Sequence, residues 1–212
     1  MPSNSSWTQE SFAQRARRSR REFIASTVRL AAGAALLSPL AMRGQSSGDL
    51  KRKMKICLTP GSIGVSANQT AAIALAARHG FEAVEPFGSQ LATLTASQLS
   101  DVLASLKEKN LVWGAAGLPV EFRQDESRFN DGLKKLPDIA VALAKAGVDR
   151  VGTWLSPAHN SLTYLQHFRQ CTQRLREVAR VLKDHNLRFG LEYVGTITGR
   201  SGRKHPFIHT LA

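Results

Sequence analysis

Lys145-Ala146-Gly147-Val148-Asp149-Arg150-Val151-Gly152 packs a helix tail, a polar stop and an apolar strand into eight residues. The same phrase occurs three more times, at Arg78-His79-Gly80-Phe81-Glu82-Ala83-Val84-Glu85, at Lys109-Asn110-Leu111-Val112-Trp113 and at Asp184-His185-Asn186-Leu187-Arg188-Phe189-Gly190-Leu191-Glu192. Gly or Asn suits the position just past a helix, where the chain turns through the left-handed conformation. Basic side chains ahead of the stop suit the negative end of the helix dipole. From Gly80 to Asn110 to Gly147 to Asn186 the steps are 30, 37 and 39 residues, each about the length of one βα unit. The pattern predicts a parallel βα architecture. In such folds the carboxyl ends of the strands carry the chemistry.

Charge is distributed unevenly along the 212 residues. The formal net charge is +13, of which residues 1–53 contribute +7 and the rest +6. A basic balance of this kind raises nucleic acid as a partner. Here the excess sits in a leader and in one loop (Arg200, Arg203, Lys204), so no nucleic-acid partner is expected. Cys57 and Cys171 have neither metal-ligand spacing nor a disulfide framework and read as buried thiols.

The leader spans residues 1–48, signal and linker together. Arg15, Arg17, Arg18, Arg20 and Arg21 precede an apolar stretch from Phe23 to Leu40, and small residues follow it. A basic start, apolar middle and small-residue exit describe a secretory signal. Ser19-Arg20-Arg21-Glu22-Phe23-Ile24 resembles a twin-arginine export signal. The resemblance implies the twin-arginine translocase as a partner and a periplasmic location, with membrane anchoring if the leader stays uncleaved.

Residues 49–212 form the folded domain. Lys55 to Thr59 reads as its first strand, and Asn68 caps a helix running to Arg78. Thr95-Ala96-Ser97-Gln98 matches a capping box ahead of an apolar stripe. A helix is predicted over Asp131 to Ala146, with Pro137 inside it. The longest helix carries Leu165, Phe168, Cys171, Leu175, Val178 and Leu182 on one face. His205-Pro206-Phe207-Ile208-His209-Thr210 reads as the first turn of a further helix. The sum is five parallel strands with four to five helices.

Candidate site residues are those at strand ends: Glu85, the Gly114 to Gly117 exit, Trp154 with His159 beyond it, and Glu192. A carboxylate there can bind a hard cation or move a proton. A buried-end Glu192 needs a positive partner, either a metal ion or Arg200.

Gly190-Leu191-Glu192-Tyr193, followed by Lys204-His205-Pro206-Phe207-Ile208-His209-Thr210, resembles the sugar phosphate isomerase/epimerase family, which belongs to the xylose isomerase-like TIM barrel superfamily. Phe81 to Pro86 and Ala146 to Val151 look like its second and fourth strands. The resemblance implies an α/β fold, a partial TIM barrel whose last three strands have no counterpart in the sequence. It implies Glu192 as metal ligand and catalytic proton-transfer group; the strand-end residues Glu85, Trp154 and His159, with His205 in the loop that follows, are the substrate-binding candidates. The implied metal is Mn²⁺ or Mg²⁺, with Zn²⁺ or Co²⁺ as alternatives, and the implied substrate is a small carbohydrate. On this expectation the chain itself is inactive, and its open barrel edges favour self-association. Two other readings stay open, a non-catalytic exported fragment or carbohydrate-binding remnant and an apurinic endonuclease-like nuclease.

Overall fold

The computed structural model describes residues 53–210. The leader lies outside the described residues.

Five strand positions follow one another around a parallel arc. β1 (Cys57–Leu58) pairs with β2 (Ala83–Val84), and β2 pairs with β3 (Val112–Trp113). β4 (Ala116–Gly117) continues the third position and pairs with β5 (Arg150–Leu155), which pairs with β7 (Arg188–Tyr193). The third position is interrupted at Gly114-Ala115, where a Cβ on Gly114 would collide with the Cys57 sulfur. All of these pairings are parallel and in sequential order, as short βα crossovers require.

Helices fill the connections: α1 (Gln69–Arg78), α2 (Gly88–Leu91), α3 (Ala96–Glu108), α4 (Glu126–Lys145) and α5 (Tyr164–Asp184). Four begin where side chains satisfy the open backbone N–H groups, α5 among them, with Gln166 Oε1 accepting from the Thr163 N–H at 2.9 Å. Asn68 Oδ1 accepts from the Ala71 N–H at 2.9 Å. Thr95 and Gln98 form a reciprocal capping box. Asp125 Oδ1 accepts from Arg128 N–H at 3.0 Å, which starts α4 five residues earlier than Asp131. Pro137 lies inside that helix, whose Leu136, Ile139, Ala140 and Leu143 are buried. All four stops take positive φ: Gly80 at 72°, Asn110 at 53°, Gly147 at 77° and Asn186 at 57°.

The core lies between the strands and the helices, built on Ile73, Val84, Leu106, Leu136, Leu143, Val151, Val178 and Leu182. On α5 the apolar stripe divides. Cys171, Leu175, Val178 and Leu182 are buried, whereas Leu165 and Phe168 stand exposed.

The helix expected from His205 to Thr210 does not form. β8 (His205–Pro206) instead pairs antiparallel with β6 (Ala158–His159), in a two-stranded clasp separate from the parallel arc. The physical reason lies in the sequence: a residue before proline is pushed out of the helical region. The Phe207 N–H then donates to Pro157 O at 2.8 Å, and the Phe207 ring is buried.

Candidate functional site

Side chains alternate along a strand, so β7 sorts its residues between two faces. Phe189 and Leu191 line an apolar groove of about 320 Å³ with Leu155, Cys171 and Leu175. Gly190 and Glu192 therefore face away from α5. The ladder sets Gly152 beside Gly190 and Trp154 beside Glu192. Glu192 is solvent-exposed and Trp154 is 45% exposed at the carboxyl ends of their strands. Arg200 does not pair with Glu192. Glu192 makes no ion pair among the described residues, and the buried Arg200 Nε has no hydrogen-bond partner among them.

Glu85 follows β2, and its backbone is held from α1. Gln69, only 4% exposed, donates from Nε2 to Glu85 O at 3.1 Å and accepts from Phe87 N–H at 2.6 Å. Such paired bonds fix a strand end because a buried amide cannot leave its partners without cost. The Glu85 carboxylate reaches the Gly117 backbone: a Cβ there would sit 3.2 Å from Oε1. Burial raises the Glu85 pKa, and a hydrogen bond from Gly117 opposes the rise. The Cys57 thiol is pushed up by burial and then by the Glu85 charge.

His159 and His205 meet in the clasp, directly opposite each other. His159 Nδ1 accepts the Ser161 and Leu162 N–H groups at 3.0 and 2.9 Å. That nitrogen closes the loop, and the proton resides on Nε2. The His159 pKa is lowered by desolvation, then by Arg203 and His205. Behind it lies His167, which sequence reasoning missed because it falls beside, not on, the apolar stripe of Leu165, Phe168 and Cys171. It is 3% exposed, with its ring centre 5.0 Å from that of His159 and 4.1 Å from that of Phe207. Its pKa is pushed down to about 4 by desolvation and by His159.

Arg123 was also missed. It lies in the segment after β4, and its Nη1 donates to Thr153 Oγ1 at 3.2 Å and Trp154 O at 2.8 Å. An isolated arginine in a polar loop gives no sequence signal of such a contact.

The strand ends thus bring Glu192, Trp154 and Arg123 to one end of the arc, with Glu85 on an earlier strand and the two histidines in the clasp. Among the described residues no three His, Cys, Asp or Glu side chains converge on a point where they could hold a metal ion. These residues alone do not fit a metal centre. Glu192 offers a single carboxylate.

A family profile described as xylose isomerase-like TIM barrel matches residues 73–203. Among solved structures, a xylose isomerase domain protein from Alicyclobacillus acidocaldarius subsp. acidocaldarius superposes with a TM-score of 0.61 at 30% identity, covering 74% of this chain and 56% of that one. The IolI protein with a binding zinc atom gives 0.54 at 18% identity, covering 67% and 52%. D-psicose 3-epimerase in the presence of D-fructose gives 0.50 at 15% identity, covering 67% and 50%. At these identities the last two are likenesses of fold. The chain spans about half the length of the solved structures it matches. No curated protein matches it.

Proposed function

This chain belongs to the xylose isomerase-like TIM barrel family, and from that premise we propose that the full-length protein is an isomerase or epimerase of a small sugar, sugar phosphate or hydroxy-ketone. The observation that carries the reading is Glu192 at the carboxyl end of the fifth strand position, beside Trp154 and facing away from the helices. A carboxylate there can take a proton from the carbon next to a substrate carbonyl. The electrons of the broken C–H bond move toward the carbonyl, forming an enediolate. Returning the proton to the former carbonyl carbon, while the adjacent hydroxyl passes its proton to the former carbonyl oxygen, isomerises the sugar. Protonation of the same carbon from its opposite face by a second acid, with Glu192 keeping the first proton, epimerises it. Trp154 offers a flat apolar face for the sugar ring, and Glu85, His159 and His205 are the polar groups assigned to its hydroxyls.

Metal dependence belongs to this proposal as a property of the full-length protein. Glu192 would give one oxygen donor to Mn²⁺ or Mg²⁺, or alternatively to Zn²⁺ or Co²⁺, and the other donors would come from outside the described residues. A divalent ion, if held there, would supply positive charge to stabilise a developing oxyanion. Residues 1–48 are inferred to export the protein through the twin-arginine translocase to the periplasm. Replacing Arg20 and Arg21 with Lys should leave a reporter fusion in the cytoplasm; unchanged export would remove that part of the reading.

The test of the reaction is Glu192→Gln in the full-length protein, which keeps the shape and removes the base. A rate loss of at least about a hundredfold is expected, the low end for general acid–base catalysis. Normal turnover would end the assignment. A carbohydrate-binding remnant is the second reading, favoured by the lack of a converging donor set among the described residues. It predicts sugar binding without turnover in the full-length protein.

A further inference from the structure

Arg123 is held in a way that an arginine serving only as a structural pin does not require. Its backbone is clamped from both sides by Arg174 of α5, 8% exposed, whose Nη1 donates to Phe122 O at 2.9 Å and Gln124 O at 2.6 Å. Its guanidinium lies 4.2 Å from the centre of the Trp154 ring and 4.6 Å from that of Phe122. Both of its protein hydrogen bonds leave from Nη1. A guanidinium carries five N–H donors, and the Nε and Nη2 donors have no protein partner. They are not among the buried unpartnered atoms, so they remain open to solvent. No carboxylate forms an ion pair with Arg123 among the described residues. Burial is the main reason its pKa lies below the ordinary arginine value, with the more distant Glu121 charge opposing the shift.

A partly desolvated cation, locked in one orientation and lacking a counter-ion, favours an anion at its open edge. Nε and Nη2 form the side of the fork that matches two oxygens of a carboxylate or phosphate. Nη1 anchors the group at the carboxyl end of β5, on Thr153 and Trp154, and Trp154 is the register partner of Glu192.

We propose that Arg123 binds an anionic oxygen group, a phosphate monoester or a carboxylate, on the substrate of this site. The anion binding stands on the geometry of Arg123; that its carrier is a small sugar rests on the reading of Glu192 above. Neutral sugars would then be poor substrates, and Trp154 would hold the ring between the anion at Arg123 and the reacting carbon at Glu192.

The experiment follows the Arg123 side-chain Nε–H resonance of the full chain in about 0.15 M salt, where exposed charges are screened. Inorganic phosphate, gluconate and glucose are titrated in turn. A saturable shift with phosphate or gluconate and none with glucose is expected. The stronger of the two anions identifies the source as phosphate ester or sugar acid. Affinity, followed for the variants by calorimetry, should fall about tenfold or more in Arg123→Gln, the loss expected when hydrogen bonds to a charged group are removed. Arg123→Lys keeps the charge without the fork and should weaken binding as well. Arg180→Gln, an exposed arginine on α5, should leave it unchanged. Phosphate binding equally well to Arg123→Gln, or a resonance moved by glucose and by neither anion, would overturn the proposal. Anion binding without turnover in the full-length protein would contradict the isomerase reading alone. Turnover of neutral sugars without anion binding would contradict this one alone.

Discussion

β2 and β7 follow the same helix-stop-strand phrase, yet they end in opposite environments. Ala83 and Val84 of β2 are 2% and 0% exposed, with β1 on one side and β3 on the other. β7 pairs with β5 alone among the described residues, and its Leu191 and Tyr193 are 51% and 39% exposed. Local sequence decides that a segment becomes a strand, because Gly or Asn past the helix and a short apolar run are local requirements. Burial is decided by neighbours, which a local pattern cannot report. The stabilising weight of this molecule therefore lies toward its early strands and α4, while the proposed chemistry lies on the lightly packed side.

Substitutions can break or sharpen that contrast. Leu136→Ala, at a fully buried position on α4, should cost about 2–5 kcal/mol in urea unfolding, through lost transfer energy and the cavity left behind. A cost below about 1 kcal/mol would mean that the early half is not the packed one. A smaller effect is expected at His167, which is buried beside the clasp. Its folded pKa, about 4, lies below the ordinary 6.5, so the unfolded state binds the proton more readily. Stability from this group is intact above pH 6.5, declines as the pH falls toward 4, and changes no further below that. Integrated over that window the loss approaches about 3 kcal/mol at most. His167→Phe should flatten this part of the pH–stability curve; an unchanged slope would show that His167 is not its source. Smallest is Leu191→Ala on β7, expected below about 1 kcal/mol because half of the side chain already meets water. A loss as large as that of Leu136→Ala would erase the contrast between the two halves.

The parallel arc was legible because its signals are local and periodic. Asn68, Thr95 with Gln98, and the four left-handed stops each act within a few residues. The start of α4 was missed by five residues because Asp125 caps it through one bond that the apolar stripe does not reveal. The clasp between His159 and His205 joins residues 46 apart, and nothing in His205-Pro206-Phe207 identifies Pro157 as its partner. Pro206 did carry a warning, since it disfavours helix at the residue before it. Of the candidate site, the strand-end residues Glu85, Trp154 and Glu192 could be named from position. Arg123, Gln69 and His167 could not, because their roles come from contacts made across the fold by Thr153, Phe87 and Phe207.

The central claim, that Glu192 moves a proton beside a carbonyl, is tested most directly by solvent exchange. Full-length protein is incubated with its sugar substrate in heavy water, and deuterium is followed at the carbon next to the carbonyl. The account predicts deuterium wash-in by the native protein and a fall of at least about a hundredfold in Glu192→Gln. Wash-in at the native rate in that variant would contradict it.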